Sequence, residues 1–236
     1  MGPGYRQLLI KRLEKRKDRN INTMQKKINH DQTPYLPGYF MVKSEYPEFS
    51  ELFCQIDVLL KTQDRVSIAI DGNSGAGKTS LAVLLNEVYD ANIFHMDHFF
   101  LRPEQRTKER LQEVGGNVDY LRFKEEVICG LQSGGEFQYQ RYDCQQQALV
   151  ECIKVVPKPL NIIEGVYSMH PILIEHYDFK IFLCNNPEEQ SRRILKRNGA
   201  KMHQRFLREW IPMENQYFEE LKIEEQADLV FRSNEL

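Results

Sequence analysis

The sequence lacks what would place it in a membrane, in a disulfide scaffold or on a polyanion. Its apolar runs, such as Leu81 to Leu85, fall far short of the roughly 20 residues that a membrane-spanning helix needs. The five cysteines (Cys54, Cys129, Cys144, Cys152 and Cys184) are odd in number and form no Cys-x-x-Cys pair, which argues against a disulfide framework and against structural zinc. With no signal peptide or lipid-anchor pattern, the expected location is cytoplasmic. No charge of one sign dominates either: 32 Lys and Arg stand against 34 Asp and Glu, a net of -2, so whole-molecule attraction to nucleic acid is not expected. An apolar content of 41% and a charged content of 28% over 236 residues exclude a disordered or low-complexity chain.

The charge that is present is unevenly placed. Lys and Arg at positions 6, 11, 12, 15, 16, 17, 19, 26 and 27 outweigh Glu14 and Asp18, giving the first thirty residues a local charge of +7. Leu9, Leu13, Met24 and Ile28 recur there at helical spacing, which predicts a basic, weakly amphipathic extension solvated on the main domain, with a nucleic-acid or membrane-surface contact as the alternative. Pro34, Pro37, Gly38 and Pro47 then mark a linker. The expected organisation is an N-terminal helical extension and linker over 1–60 and a main domain over 61–236. A core-facing helix, with Phe49, Leu52, Phe53, Ile56, Leu59 and Leu60 at spacings of three and four, closes the first part near Lys61.

From there short apolar runs alternate with helical patterns. Val66 to Ile70, Asn92 to Met96, Leu160 to Ile163, Lys180 to Leu183 and Asp228 to Phe231 read as buried strands. The fold class is therefore α/β: a five-stranded parallel sheet with helices on both faces. Ligands of such sheets bind at the carboxyl ends of the strands, which directs attention to the residues after each run.

After the first run, Gly72-Asn73-Ser74-Gly75-Ala76-Gly77-Lys78-Thr79 fits G-x-x-x-x-G-K-[ST] without a mismatch and continues into Ser80. This is a P-loop: its N–H groups cradle phosphates, Lys78 reaches the β- and γ-phosphates and Thr79 serves Mg²⁺. At the end of the second run, Asp97 faces the same edge, where a carboxylate can take the proton of an attacking hydroxyl or hold Mg²⁺. Glu164 follows the third run and makes a magnesium site plausible, while His95 and His98 are read as structural because no third ligand accompanies them. Arg192, Arg193, Lys196 and Arg197 gather toward the end of a helix begun by Asn186-Pro187-Glu188-Glu189. They either favour the helix dipole or form a cationic lid.

Taken in order, the P-loop, Met96-Asp97-His98-Phe99-Phe100, Gly116-Asn117-Val118-Asp119-Tyr120, Tyr142-Asp143, Ile163-Glu164-Gly165 and Arg192 to Arg197 resemble the uridine kinase and phosphoribulokinase family of P-loop kinases, over about Val66 to Phe231. The resemblance implies Mg²⁺-dependent transfer of the γ-phosphoryl group of ATP, or another NTP, to a primary hydroxyl such as the 5′-OH of a nucleoside, with uridine the foremost acceptor. It implies Asp97 as general base, Thr79 and Glu164 at Mg²⁺, Asp119 on ribose hydroxyls, Arg193 on sugar or phosphate, and Lys196 and Arg197 in a lid. In nucleoside-specific members a histidine four residues after the Tyr-Asp pair reads the pyrimidine edge; beyond Tyr142-Asp143 this chain carries Gln147 at that place. Pantothenate, nicotinamide riboside or another vitamin-like alcohol stays open as acceptor, as does a non-kinase nucleotide-binding regulator. A homo-oligomer is compatible with the resemblance. The strip Glu209 to Phe218 is similar to bacterial uridine kinase-like members and is expected to pack the last helices.

Overall fold

The computed structural model describes residues 47–232. The basic N-terminal segment and most of its linker lie outside the described residues.

Helix α1 (Ser50–Thr62) buries Leu52, Phe53 and Ile56 completely, and Phe53 meets the Tyr89 ring at 6.3 Å. Strand β1 (Val66–Gly72) follows and runs two residues beyond the expected Ile70, carrying Asp71 and Gly72 into the sheet. Its residues Val66, Ile68, Ala69 and Ile70 are solvent-free, as a strand covered on both faces requires. The P-loop then turns the chain into helix α2 (Lys78–Tyr89), whose Leu81, Leu85 and Val88 face inward at the helical period. Strand β2 (Asn92–His95) ends one residue before the expected Met96, which opens a 3₁₀ turn over Met96–Phe99.

Beyond a loop holding the short helix α3 (Lys108–Gln112), helix α4 (Tyr120–Phe123) passes through a π turn over Lys124–Ile128 into α5 (Cys129–Ser133). An antiparallel hairpin, β3 (Phe137–Asp143) with β4 (Ala148–Val155), comes next, where the sequence suggests no strand. Only Tyr139, Tyr142 and Val155 of these two strands are buried, so the apolar alternation is too thin to announce them. The Tyr139 ring lies 5.5 Å from Phe99 and 5.8 Å from Phe94, which seats the hairpin beside the 3₁₀ turn.

Strand β5 (Leu160–Glu164) is buried at every residue, and β6 (Phe179–Cys184) and β7 (Leu229–Arg232) complete a five-stranded sheet in the order β2-β5-β1-β6-β7. All of its pairings are parallel, and helices flank the sheet. Between β6 and β7 runs α6 (Pro187–Arg205), started by the Asn186 side chain accepting the Glu189 N–H and broken at Gly199, where φ is 76°. A π turn over Phe206–Trp210 leads into α7 (Ile211–Glu220). Pro212 follows directly on this π turn, and the helical path continues through it rather than being broken there.

Candidate active site

Parallel pairing brings the carboxyl ends of β1, β2 and β5 together, and each delivers one part of the site. Glu164 stands in register with Ile70 on one side and His95 on the other. The P-loop leaves β1 through Gly72, whose φ of 129° and closeness to β6 admit no side chain. A Cβ there would lie 1.8 Å from the Leu183 carbonyl oxygen. Leu183 also accepts the Asn73 N–H at 3.1 Å, so the loop springs from the middle of the sheet.

Lys78 is buried and donates to the carbonyls of Gly72 at 2.7 Å and Asn73 at 2.9 Å. Thr79 donates its hydroxyl to the Glu164 carboxylate, with the two oxygens at 3.1 and 3.2 Å. Ser80, one residue on, points to solvent. A hydroxyl and a carboxylate side by side are hard oxygen donors of the kind Mg²⁺ selects. Among the described residues no group of three His, Cys, Asp or Glu side chains forms a metal cluster. An ion held by one or two protein oxygens and shared with phosphates fits this donor set better than a metal caged by protein alone.

His95, read from the sequence as structural, reaches this pair: its Nδ1 lies 2.5 Å from Glu164 Oε1. Burial pulls the His95 imidazole down, but the Glu164 bond and charge and the Asp97 charge outweigh it and raise its pKa above 6.5. His98, stacked on Tyr139, is instead held down at about 4 by burial and by the neighbouring His95 charge. Asp97, on the 3₁₀ turn, keeps a solvent-exposed surface. Loss of water from the enclosing protein, then the Glu164 charge, raises its carboxyl above its ordinary value, while Lys78, His95 and Arg197 oppose the shift. Asp97 thus shares one electrostatic neighbourhood with the P-loop lysine, the Glu164 pair and an arginine of α6.

The remaining candidates fall into three places. Asp119 is buried and caps α4 by accepting the Arg122 N–H at 3.1 Å, while its other oxygen accepts Gln105 Nε2 at 2.7 Å. Arg122 in turn donates to the His98 carbonyl at 2.8 Å, tying this cap to the turn that carries Asp97. Tyr142 is buried under the hairpin and its hydroxyl accepts from Arg106 at 3.3 Å. Gln147 sits exposed at the hairpin turn with φ of 52°, beyond an Asp143 side chain that accepts the Gln145 and Gln146 N–H groups. Arg193 grips Glu189 at 2.6 Å and reaches the carbonyls of Gly75 and Ala76 at 3.3 and 3.4 Å. Arg197 bonds Asn198 and faces the Phe206 ring.

Two groups of the site were not assigned to it from the sequence, although one, Glu214, lies in the strip Glu209 to Phe218 expected only to pack helices. Asp71, fully buried below the P-loop, accepts from Gly72 N, Met169 N and the Tyr217 hydroxyl at 2.7, 2.9 and 2.9 Å. Burial raises its carboxyl to about 6 against the pull of those donors and of Lys78. Glu214 of α7, also buried, accepts the Ser74 N–H at 3.0 Å and the Ser74 hydroxyl at 2.5 Å. Burial raises it too, Lys78 and the Ser74 bonds oppose, and the Asp97 charge adds to the rise.

A strand, a P-loop, a helix and two carboxylates on neighbouring strand ends define a P-loop nucleotide-binding protein of the α/β class, built for phosphoryl transfer. Its family follows from comparison: the model of the Phosphoribulokinase / Uridine kinase family matches residues 67–202, more than half of the chain, and the chain belongs to that family. It is thus a P-loop kinase of the kind that uses ATP and usually Mg²⁺. Among solved structures it is similar to a possible uridine kinase from Bacillus stearothermophilus, with 22% identity and a TM-score of 0.56 over 77% of this chain and 99% of that one. It is similar also to a candidate fructose transport system kinase from Silicibacter sp. TM1040, with 20% identity and a TM-score of 0.56 over 76% and 97% of the two chains. Both likenesses concern the fold. A search of curated proteins finds no match.

Proposed function

We propose that the protein transfers the γ-phosphoryl group of ATP to the primary 5′-hydroxyl of a nucleoside, with uridine the foremost acceptor. The observation that carries this reading is the position of Asp97, an exposed carboxylate two residues beyond the His95 that meets Glu164, and within the charge field of Lys78, Glu164 and Arg197. A group so placed can accept the proton of an acceptor hydroxyl as that oxygen attacks phosphorus.

Lys78 would exchange the Gly72 and Asn73 carbonyls for β- and γ-phosphate oxygens, and the P-loop N–H groups would cradle the phosphates along the loop. Thr79 and Glu164, with Asp97 near them, would hold Mg²⁺, which when bound neutralises charge on the phosphate oxygens. Arg193, on the stretch of α6 before the Gly199 break, supplies cationic charge at the P-loop, and Arg197 on the same stretch acts on Asp97. Asp119 would hold sugar hydroxyls by giving up Gln105, whose amide already shows that an N–H or O–H donor fits there. Little covalent chemistry is asked of the protein, so positioning and electrostatic stabilisation supply most of the rate.

A second reading keeps the kinase and changes the alcohol to pantothenate, nicotinamide riboside or a similar compound. It is supported by Gln147, which stands exposed on the hairpin turn where a pyrimidine-reading histidine is expected. A nucleotide-binding regulator, the remaining alternative, would leave Asp119 and the Tyr142-Asp143 pair without a task.

The test is ADP release by the purified protein with Mg-ATP against nucleosides, pantothenate and nicotinamide riboside, beside an acceptor-free control. Turnover that depends on uridine or cytidine supports the first reading. Turnover with another alcohol alone moves the assignment to the second, and ATP binding with no turnover on any acceptor counts against both.

A further inference from the structure

Three consecutive P-loop residues are held from the 185–214 stretch. Asn185 Nδ2 donates to the Gly75 carbonyl at 2.9 Å, Arg193 reaches the Gly75 and Ala76 carbonyls, and Glu214 takes both donors of Ser74. The first two contacts bring N–H donors to backbone carbonyls, which a nucleotide's phosphates do not use. The third is different in kind, because a carboxylate is seated on a P-loop N–H and a hydroxyl in a loop shaped to receive anions.

The position of that carboxylate along the phosphate chain can be bracketed. The Ser74 N–H belongs to the same peptide unit as the Asn73 carbonyl that Lys78 Nζ holds at 2.9 Å, and Lys78 is the P-loop lysine that reaches the β- and γ-phosphates; the Lys78 and Asp97 charges both act on Glu214 as well. A carboxylate on the Ser74 N–H therefore lies at the Lys78 Nζ end of the loop, where the terminal phosphate is received. The fastening of α7 does not rest on Glu214 alone, because Tyr217 on the same helix also anchors it through its bond to Asp71 and an edge contact with Tyr167 at 4.7 Å.

We propose that Glu214 is a specificity-determining residue that makes the site distinguish a nucleoside triphosphate from a diphosphate, by occupying the Ser74 donors that a terminal phosphate oxygen takes. A γ-phosphate has to displace the Glu214 carboxylate from Ser74, whereas a diphosphate ends short of it. After transfer, the γ-phosphoryl group departs with the acceptor and Glu214 retakes Ser74, so the resting contact favours the loop with ADP over the loop with ATP. The charged groups facing Glu214 are Lys78 and Asp97, and Tyr167 is within its field. No proton has to move for the exchange to occur. This inference rests on the assignment of the site as a kinase P-loop, but not on the identity of the acceptor.

The experiment is calorimetric titration of the full chain with Mg-ADP and with a non-hydrolysable Mg-ATP analogue, for wild type and Glu214→Gln, in the absence of any acceptor. The amide keeps an oxygen for the Ser74 N–H and removes the competing charge. Exchange of a charge-assisted bond for a neutral one predicts roughly a tenfold gain in affinity for the triphosphate analogue, with the ADP affinity changed by less than about twofold. An equal change in both affinities, no change in either, or a loss confined to the triphosphate overturns the proposal and leaves Glu214 as a strut for α7. If Glu214→Gln does not fold, Glu214→Asp, whose shorter arm withdraws the carboxylate from Ser74, is read by the same ratio. A wild-type protein that binds neither nucleotide would instead bring down the kinase site itself, whereas failure of the nucleoside assignment alone leaves these titrations unchanged.

Discussion

His95 and Glu164 face each other across β2 and β5 in parallel register, and their side chains meet with Nδ1 and Oε1 at 2.5 Å. Thr79 approaches the same carboxylate from the P-loop side. Glu164 is therefore oriented by a histidine on one flank while it faces the nucleotide loop on the other, the arrangement by which an outer partner steadies a metal-binding carboxylate. His95→Phe should raise the Mg²⁺ concentration for half-maximal activity by roughly tenfold or more, as loss of such partners commonly does. His95→Gln, which keeps an N–H donor, should restore most of the loss. Mg²⁺ titrations of ADP release would decide, and identical midpoints for wild type and the phenylalanine variant would remove His95 from any role in the metal site.

Asp97→Asn should lower turnover by about 10²–10⁴-fold while Mg-ADP binding stays within about twofold, because the amide keeps the size of the side chain and loses its basicity. The base works deprotonated, and its pKa lies above the ordinary 3.8, so the acid limb of kcat/KM should fall above that value as pH decreases. Burial is the first cause and the Glu164 charge the second, so Glu164→Gln should move that limb toward lower pH. A limb that does not move would show that Asp97 is not the titrating group.

Lys78→Ala should abolish turnover under conditions where wild type releases ADP, and it should weaken binding of the triphosphate analogue more than that of ADP. The Nζ group lies 2.7 Å from the Gly72 carbonyl and is free to trade that partner for phosphate without altering the path of the loop. Retained turnover would sink the P-loop assignment.

The parts of this molecule written locally in the chain were legible in it. The five sheet strands are short, mostly apolar runs, almost wholly buried in the central β5, β1 and β6 and only partly covered in the edge strands β2 and β7, and the P-loop is a contiguous motif whose glycines sit at backbone angles other residues avoid. Asp97 and Glu164 could be placed because the carboxyl end of a parallel strand is a known address. What was not legible depends on pairs distant in the sequence. Ser74 and Glu214 are 140 residues apart and Asp71 and Tyr217 are 146 apart, and nothing in the pattern around Glu214 separates it from a surface acid of an amphipathic helix. The hairpin escaped notice for a different reason: its exposed face is rich in Gln, Glu and Lys, and a bulge between Arg141 and Tyr142 breaks its alternation.

Asp71 offers a prediction about stability. Its carboxyl is fully buried, and its pKa is raised from 3.8 to about 6, chiefly by loss of water. The folded protein therefore holds this proton more tightly than the unfolded chain. The resulting stabilisation is fully present below the ordinary pKa of 3.8 and is lost as pH rises through about 6. Asp71→Asn abolishes that titration, so its unfolding free energy relative to wild type should increase from pH 4 to pH 7 by on the order of 3 kcal/mol. Tyr217→Phe removes a donor that favours the charged form, so in that variant the loss should extend to higher pH. Urea unfolding of the three proteins across this range is the measurement. A constant difference between wild type and Asp71→Asn would mean that Asp71 keeps an ordinary pKa despite its burial, with Met169, Gly72 and Tyr217 together offsetting the whole cost of desolvation.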